Sequence, residues 1–240
     1  MKKMIFTLAA CAAMLLAFAP IASARSETAA LDLEGIQEWV VNSPLLLQAY
    51  NAYTVRAHRN YGFLSRINAQ SHLAFNQALD DEFYADGMPA MIDWQTSGMK
   101  YGTRDLRYNG CELIAVYNVL LHFGSPRDMS KIIYEFERNG ALWLEGEFGT
   151  KIAQYTKYLK THGFQTESFK NPRALDDARM DGDVFILTYR NAGGLTIHTV
   201  MVWQKGGQLI AYNVWGGPFD SFEDLLNRKG AYLKAVRVSG

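Results

Sequence analysis

Apolar positions recur at mixed three- and four-residue spacing from Ala29 to about Lys100, at Leu45-Leu46-Leu47, Tyr50, Tyr53, Phe63, Leu64, Ile67, Leu73, Phe75 and Leu79. With polar residues between them, this pattern predicts a mainly helical region. Asp86-Gly87-Met88-Pro89 interrupts it with turn chemistry. The pattern then tightens. From Cys111 to Phe123, Leu113, Ile114, Val116, Tyr117, Leu120 and Leu121 are apolar nearly all round, which predicts a buried helix. Asn109 is its expected N-cap, Gly110 gives a close approach, and Gly124-Ser125-Pro126 stops it. A second helix is expected over Asp128 to Arg138, closed by Asn139-Gly140. A third should run from the Gly149-Thr150 cap to about His162, with Gly163 as its stop. Ala174 to Ala178 reads as a short helical turn.

Beyond Asp183 the periodicity changes. Val184 to Tyr189, Thr196 to Gln204 and Leu209 to Trp215 read as strands, Phe222 to Asn227 as a helix, and Ala231 to Val238 as a last strand. Helices first and antiparallel strands after them predict an α+β fold, not βαβ alternation.

The hairpin between the second and third strand runs has a definite register. Lys205-Gly206-Gly207-Gln208 supplies a two-residue type I′ turn, whose central positions need positive φ. Residues whose numbers sum to 413 then face each other across the ladder. His198 and Asn213 become diagonal neighbours on one face, roughly 7–8 Å apart. A loop one residue longer would put them on opposite faces.

An asparagine beside a histidine can accept the imidazole N–H, fix the tautomer and aim the other ring nitrogen at a nucleophile. The expected nucleophile is Cys111, whose thiolate would be favoured at the N-terminus of a helix. Each residue alone has a plainer reading: a core thiol, a structural histidine, a turn asparagine. The order Cys111, His198, Asn213 with compatible geometry points to thiol-nucleophile chemistry. The other histidines are less suitably placed. His58 and His72 fall in the N-terminal helical part, and His162 adjoins a helix stop. His122 lies about 16 Å along the helix from Cys111.

The chain has 240 residues, is 49% hydrophobic, and carries 13 Phe, 13 Tyr and 5 Trp, enough for one sizeable core. Lys plus Arg equals Asp plus Glu at 24 each, so nothing in the charge suggests a nucleic-acid partner or an anionic membrane. Residues 1–24 read as a secretory signal: Lys2 and Lys3, the apolar stretch Met4 to Ala19, then Ala22-Ser23-Ala24. The expected location is therefore exported, secreted or periplasmic, with no stable membrane partner after cleavage. Leu8-Ala9-Ala10-Cys11 resembles a lipobox, and a lipoprotein anchored through Cys11 is the lesser alternative, because little apolar chain precedes that cysteine. With residues 1–24 removed, Cys111 is the one remaining cysteine and has no internal disulfide partner.

These residues resemble the papain-like cysteine peptidase superfamily, and most of all its compact bacterial branch related to bacteriocin-leader-processing peptidases. Asn213-Val214-Trp215-Gly216 looks like the family's Asn-x-Trp-Gly, and Asn109-Gly110-Cys111 at a helix start looks like its nucleophile turn. The resemblance implies a papain-like catalytic domain over 101–240, with residues 25–100 as an N-terminal helical subdomain, cap or prosegment. It implies a Cys111–His198–Asn213 triad, with Trp215 shielding the His–Asn contact and no metal or organic cofactor. The expected activity is hydrolysis of peptide or other amide bonds in a peptide or protein substrate. Acyl transfer or transamidation on the same triad, and a catalytically inactive binding module, are the alternatives. The chain departs from the family in having no Gln between Gln95 and Cys111. Asn109 or Tyr101 is the expected substitute as oxyanion donor, beside the Cys111 N–H. Glu112, directly after the nucleophile, would oppose a thiolate unless it points away.

Overall fold

A computed structural model describes residues 63–93, 95–142, 149–151, 154–192 and 196–240. The expected signal segment at 1–24 and the apolar pattern at 29–62 lie outside the described residues. The first described helix, α1 (Phe63–Asn76), continues into a 3₁₀ turn over Gln77–Phe83. The helical reading stops there. Two small hairpins follow, β1 (Tyr84–Ala85) with β2 (Met88–Pro89), and β3 (Lys100–Tyr101) with β4 (Arg104–Asp105). Each is too short to leave a period in the sequence, although the Asp86-Gly87 turn is legible, with φ positive at both residues.

One helical turn, α2 (Leu106–Asn109), runs into α3 (Cys111–His122). Asn109 therefore ends a helical turn, and Gly110, not Asn109, is the N-cap of α3. A Cβ on Gly110 would collide with the Leu106 side chain and carbonyl, which accounts for the glycine. Every residue from Glu112 to Leu120 is buried, as the unbroken apolar pattern predicts. The chain continues through α4 (Met129–Arg138) and α5 (Gln154–Thr161). Thr150, expected to open the third helix, instead bridges Leu142.

The remaining chain builds a five-stranded antiparallel sheet from β5 (Gln165–Phe169), β6 (Val184–Asn191), β7 (Ile197–Lys205), β8 (Gln208–Tyr212) and β9 (Gly230–Ser239), in the order β5-β9-β6-β7-β8. Two helices connect it, α6 (Pro172–Ala178) and α7 (Phe222–Lys229). The polar strand β5 was not expected. It lies at the sheet edge and none of its residues is buried, so it carries no apolar alternation.

Both faces of the sheet are covered. One carries Val184, Ile186, Met201, Val236 and Val238 against residues of α3, α4 and α5. The other carries Phe185, Leu187, Val200 and Val202 against Leu175, Phe222 and Leu225 of α6 and α7. This explains why β6 is a continuous apolar run: it is central, and six consecutive residues from Val184 to Tyr189 are buried. The architecture is the expected α+β arrangement, a buried helix laid on a C-terminal antiparallel sheet.

Candidate active site

The β7–β8 hairpin has the predicted register. Met201 faces Tyr212, Val202 faces Ala211 and Lys205 faces Gln208, each pair summing to 413. Gly206 and Gly207 have φ of 58° and 85°, the positive pair a type I′ turn requires. The ladder ends at Tyr212, three residues short of the expected strand end. There Asn213 turns the chain with φ 64°, a left-handed conformation that asparagine tolerates better than most residues.

That turn brings Asn213 to His198 by an unforeseen route. The contact is between the His198 ring Nε2 and the Asn213 backbone carbonyl, at 2.6 Å, and not through the Asn213 side chain. A carbonyl only accepts, so Nε2 carries the hydrogen and Nδ1 is left with the lone pair. The Asn213 side chain points elsewhere: its Nδ2 donates to Oε1 of Gln95 at 3.3 Å. Gln95 in turn donates from Nε2 to the Arg107 carbonyl at 2.8 Å. Gln95 was not singled out in the sequence, because 118 positions separate it from Asn213 and no local pattern connects the two.

Cys111 opens α3 and is half-buried. Burial pushes its thiol up. Hydrogen bonds from the backbone and hydroxyl of Thr199, and from the Glu112 and Cys111 N–H groups at the helix start, act in the opposite direction. Thr199 follows His198 in β7, and its hydroxyl also meets that of Thr188 directly across the ladder, at 3.0 Å with both residues fully buried. His198, one residue earlier, alternates to the other side of the strand. Its ring meets Tyr189 edge-on at 5.7 Å. Tyr189 is also coupled to Cys111: burial raises its phenol first, and the nearby thiol raises it further. Tyr189 of β6 thus stands between Cys111, whose charge it feels, and His198, whose ring it meets. Among the described residues no hydrogen bond joins Cys111 to the His198 ring. Burial lowers the imidazole, and the bond to the Asn213 carbonyl counteracts part of that. Taken singly, the two groups favour a neutral thiol and a neutral imidazole.

The other expected site residues are placed as follows. Asn109 is buried and donates from Nδ2 to the Tyr101 carbonyl at 3.2 Å. Tyr101 is fully buried with its hydroxyl on Thr150 at 2.7 Å. The Asn109 side chain ties the end of α2 to β3, and the Tyr101 hydroxyl ties β3 to the segment around Thr150. Trp215, expected over the His–Asn contact, is 71% exposed. The Glu112 carboxyl lies inside the core, where burial raises it well above the usual range, the Cys111 thiol adding to the rise and Lys234 opposing it. The two groups do oppose each other as charges, as the sequence position suggests, and the opposition adds to burial in favouring the protonated Glu112. Among the described residues no group of three or more His, Cys, Asp or Glu could hold a metal ion.

No family model matches the chain, and no curated protein matches it. Solved structures do. The peptidase domain of Streptococcus ComA, a bi-functional ABC transporter involved in a quorum sensing pathway, is 22% identical with a TM-score of 0.41, over 58% of this chain and 96% of that one. The peptidase domain of Streptococcus mutans ComA is 19% identical with a TM-score of 0.29, over 38% of this chain and 76% of that one. The Pseudomonas avirulence protein AvrPphB is 17% identical with a TM-score of 0.29, over 54% and 91%.

Proposed function

We propose that the protein is an exported papain-like thiol hydrolase that cleaves peptide or other amide bonds. The observation that carries this reading is the His198 ring held at Nε2 by the Asn213 carbonyl, on a strand whose next residue, Thr199, pulls the Cys111 thiol down against burial. With Nε2 committed, Nδ1 is the base. Cys111 attacks the substrate carbonyl carbon as its S–H proton passes to Nδ1 of His198. The C–N bond then breaks, the imidazolium returns the proton to the departing amine, and a thioester remains on Cys111. Water, deprotonated by the same nitrogen, releases the acid and restores the thiol. Hydrogen bonds of this kind are often long in the unliganded enzyme and tighten around substrate. The N–H groups at the start of α3 are the proposed oxyanion donors.

Alkylation of Cys111 by iodoacetamide, followed on the Cys111-containing peptide by mass spectrometry, tests the reading. At about pH 6, Cys111 is expected to react faster than free cysteine and to lose that advantage in His198→Ala. Equal rates for wild type, variant and free cysteine would sink the hydrolase. They would favour the second reading, a binding module on the same scaffold, which the raised thiol and the engaged Asn109 and Tyr101 side chains support.

A further inference from the structure

Gln95 lies in a segment tied to the nucleophile helix. Three residues before it, both the N–H and the carbonyl of Ile92 are bonded to the side chain of Asn118 on α3, at 2.9 and 3.0 Å. Four residues after it, the Met99 carbonyl accepts from the Leu106 N–H, at the start of the turn leading to Cys111, at 2.8 Å. Gln95 itself holds the carbonyl of Arg107 in that turn. Its backbone and its amide nitrogen therefore belong with the nucleophile. Its amide oxygen reaches across to Asn213, on the histidine side.

We propose that Gln95 is a positioning residue that clamps the Asn213 corner to the turn preceding Cys111, and so sets where the Asn213 carbonyl holds His198. Asn213 then serves through its left-handed backbone and its carbonyl, with the side-chain amide as the handle that Gln95 grips. The path runs from the Arg107 carbonyl through Gln95 and Asn213 to Nε2 of His198. It spans the two halves of the site.

The effect on turnover rests on the hydrolase reading; the effect on the His198 ring does not. The test is a double-mutant cycle on the full chain, with Gln95→Met, Asn213→Gly and both together. Met keeps the length of Gln95 without a donor or acceptor, and Gly keeps the left-handed corner and its carbonyl. His198 is titrated by NMR of histidine-labelled protein, and turnover is followed on a peptide substrate. Each single variant is expected to move the His198 titration downward, because the Asn213 carbonyl is what raises it against burial. Each should also lower kcat about ten-fold with KM within about two-fold, since misplacement acts on the chemical step. The double variant should do no more than either single one. Gln95→Glu, which keeps the oxygen facing Asn213, should fall between wild type and Gln95→Met, and it decides the question if Gln95→Met does not fold. A His198 titration in either Gln95 variant that superimposes on wild type, or effects that add in the double variant, would overturn the clamp. A wild type that turns over no peptide would overturn the hydrolase while leaving the titration arm intact.

Discussion

Burial raises the Cys111 thiol, while the Thr199 N–H and hydroxyl and two N–H groups at the helix start pull it down. The outcome at this sulfur is a balance of desolvation against directed donors, and Thr199 is the donor that can be removed cleanly. Thr199→Val is expected to push the thiol further up and slow its alkylation at neutral pH. Thr199→Ser should restore most of the rate, because the hydroxyl also keeps its Thr188 partner. A valine variant that alkylates at the wild-type rate would remove Thr199 from the site. The same scale shows what spacing can and cannot convey. Gly206-Gly207 set the hairpin register and so brought Asn213 next to His198. Spacing could not show that Asn213 leaves the ladder with φ 64°, because that choice is made by contacts beyond Tyr212. The partner atom changed with it, from a side-chain amide to a backbone carbonyl.

The α3 helix carries both Cys111, the proposed nucleophile, and a carboxyl buried one residue later. Burial makes Glu112 hold its proton more tightly in the folded protein than in the unfolded chain, its pKa raised well above 4.5. Above about pH 4.5 the unfolded chain has lost that proton, so the folded state binds more. The Glu112 contribution is therefore harmless below pH 4.5 and becomes a growing cost as pH rises toward the folded value. Glu112→Gln should raise Tm at pH 7 by roughly 2–4 °C for each kcal/mol recovered, and much less at pH 4. Its Cys111 alkylation profile should follow wild type, since a neutral carboxyl and an amide carry the same charge. Equal Tm gains at both pH values, measured by calorimetry, would contradict a proton held by burial. As an element, α3 was the most legible part of the chain, because an all-round apolar helix has only one place to go. Its N-terminus was not. Asn109 has the composition of a cap, yet α2 runs up to Gly110, and the closeness of Leu106 makes Gly110 the joint.

Across the whole molecule, one buried carboxylate connects parts that are distant in sequence. Oε1 of Glu137, on α4, accepts from the Gly102 N–H in the β3–β4 turn at 2.8 Å and meets Nδ1 of His72, on α1, at 2.7 Å. Glu137→Ala would leave the buried His72 and the half-buried Gly102 N–H without their partner, and is expected to cost roughly 3–5 kcal/mol in urea unfolding. Glu137→Gln, which retains the oxygen, should cost less. A loss under about 1 kcal/mol for the alanine variant would mean that these parts are joined by packing alone. None of this was visible in the apolar pattern: His72 read only as a helix residue, and Gly102 only as part of the polar stretch between the helical region and Cys111. The two-sided burial of the sheet was visible, in the unbroken run from Val184 to Tyr189.

The position of β9 has a consequence for the order of events as the chain is made. The strands β6, β7 and β8 form a meander from one continuous stretch, so His198 can meet the Asn213 corner once residues 184–213 are available. The bed beneath α3 cannot form so early. It includes Val236 and Val238, and these sit on the strand inserted between β5 and β6. A chain that ends before residue 230 lacks the strand that stands between β5 and β6 and completes this bed. The packing of α3 is therefore completed by the strand that comes last in the sequence.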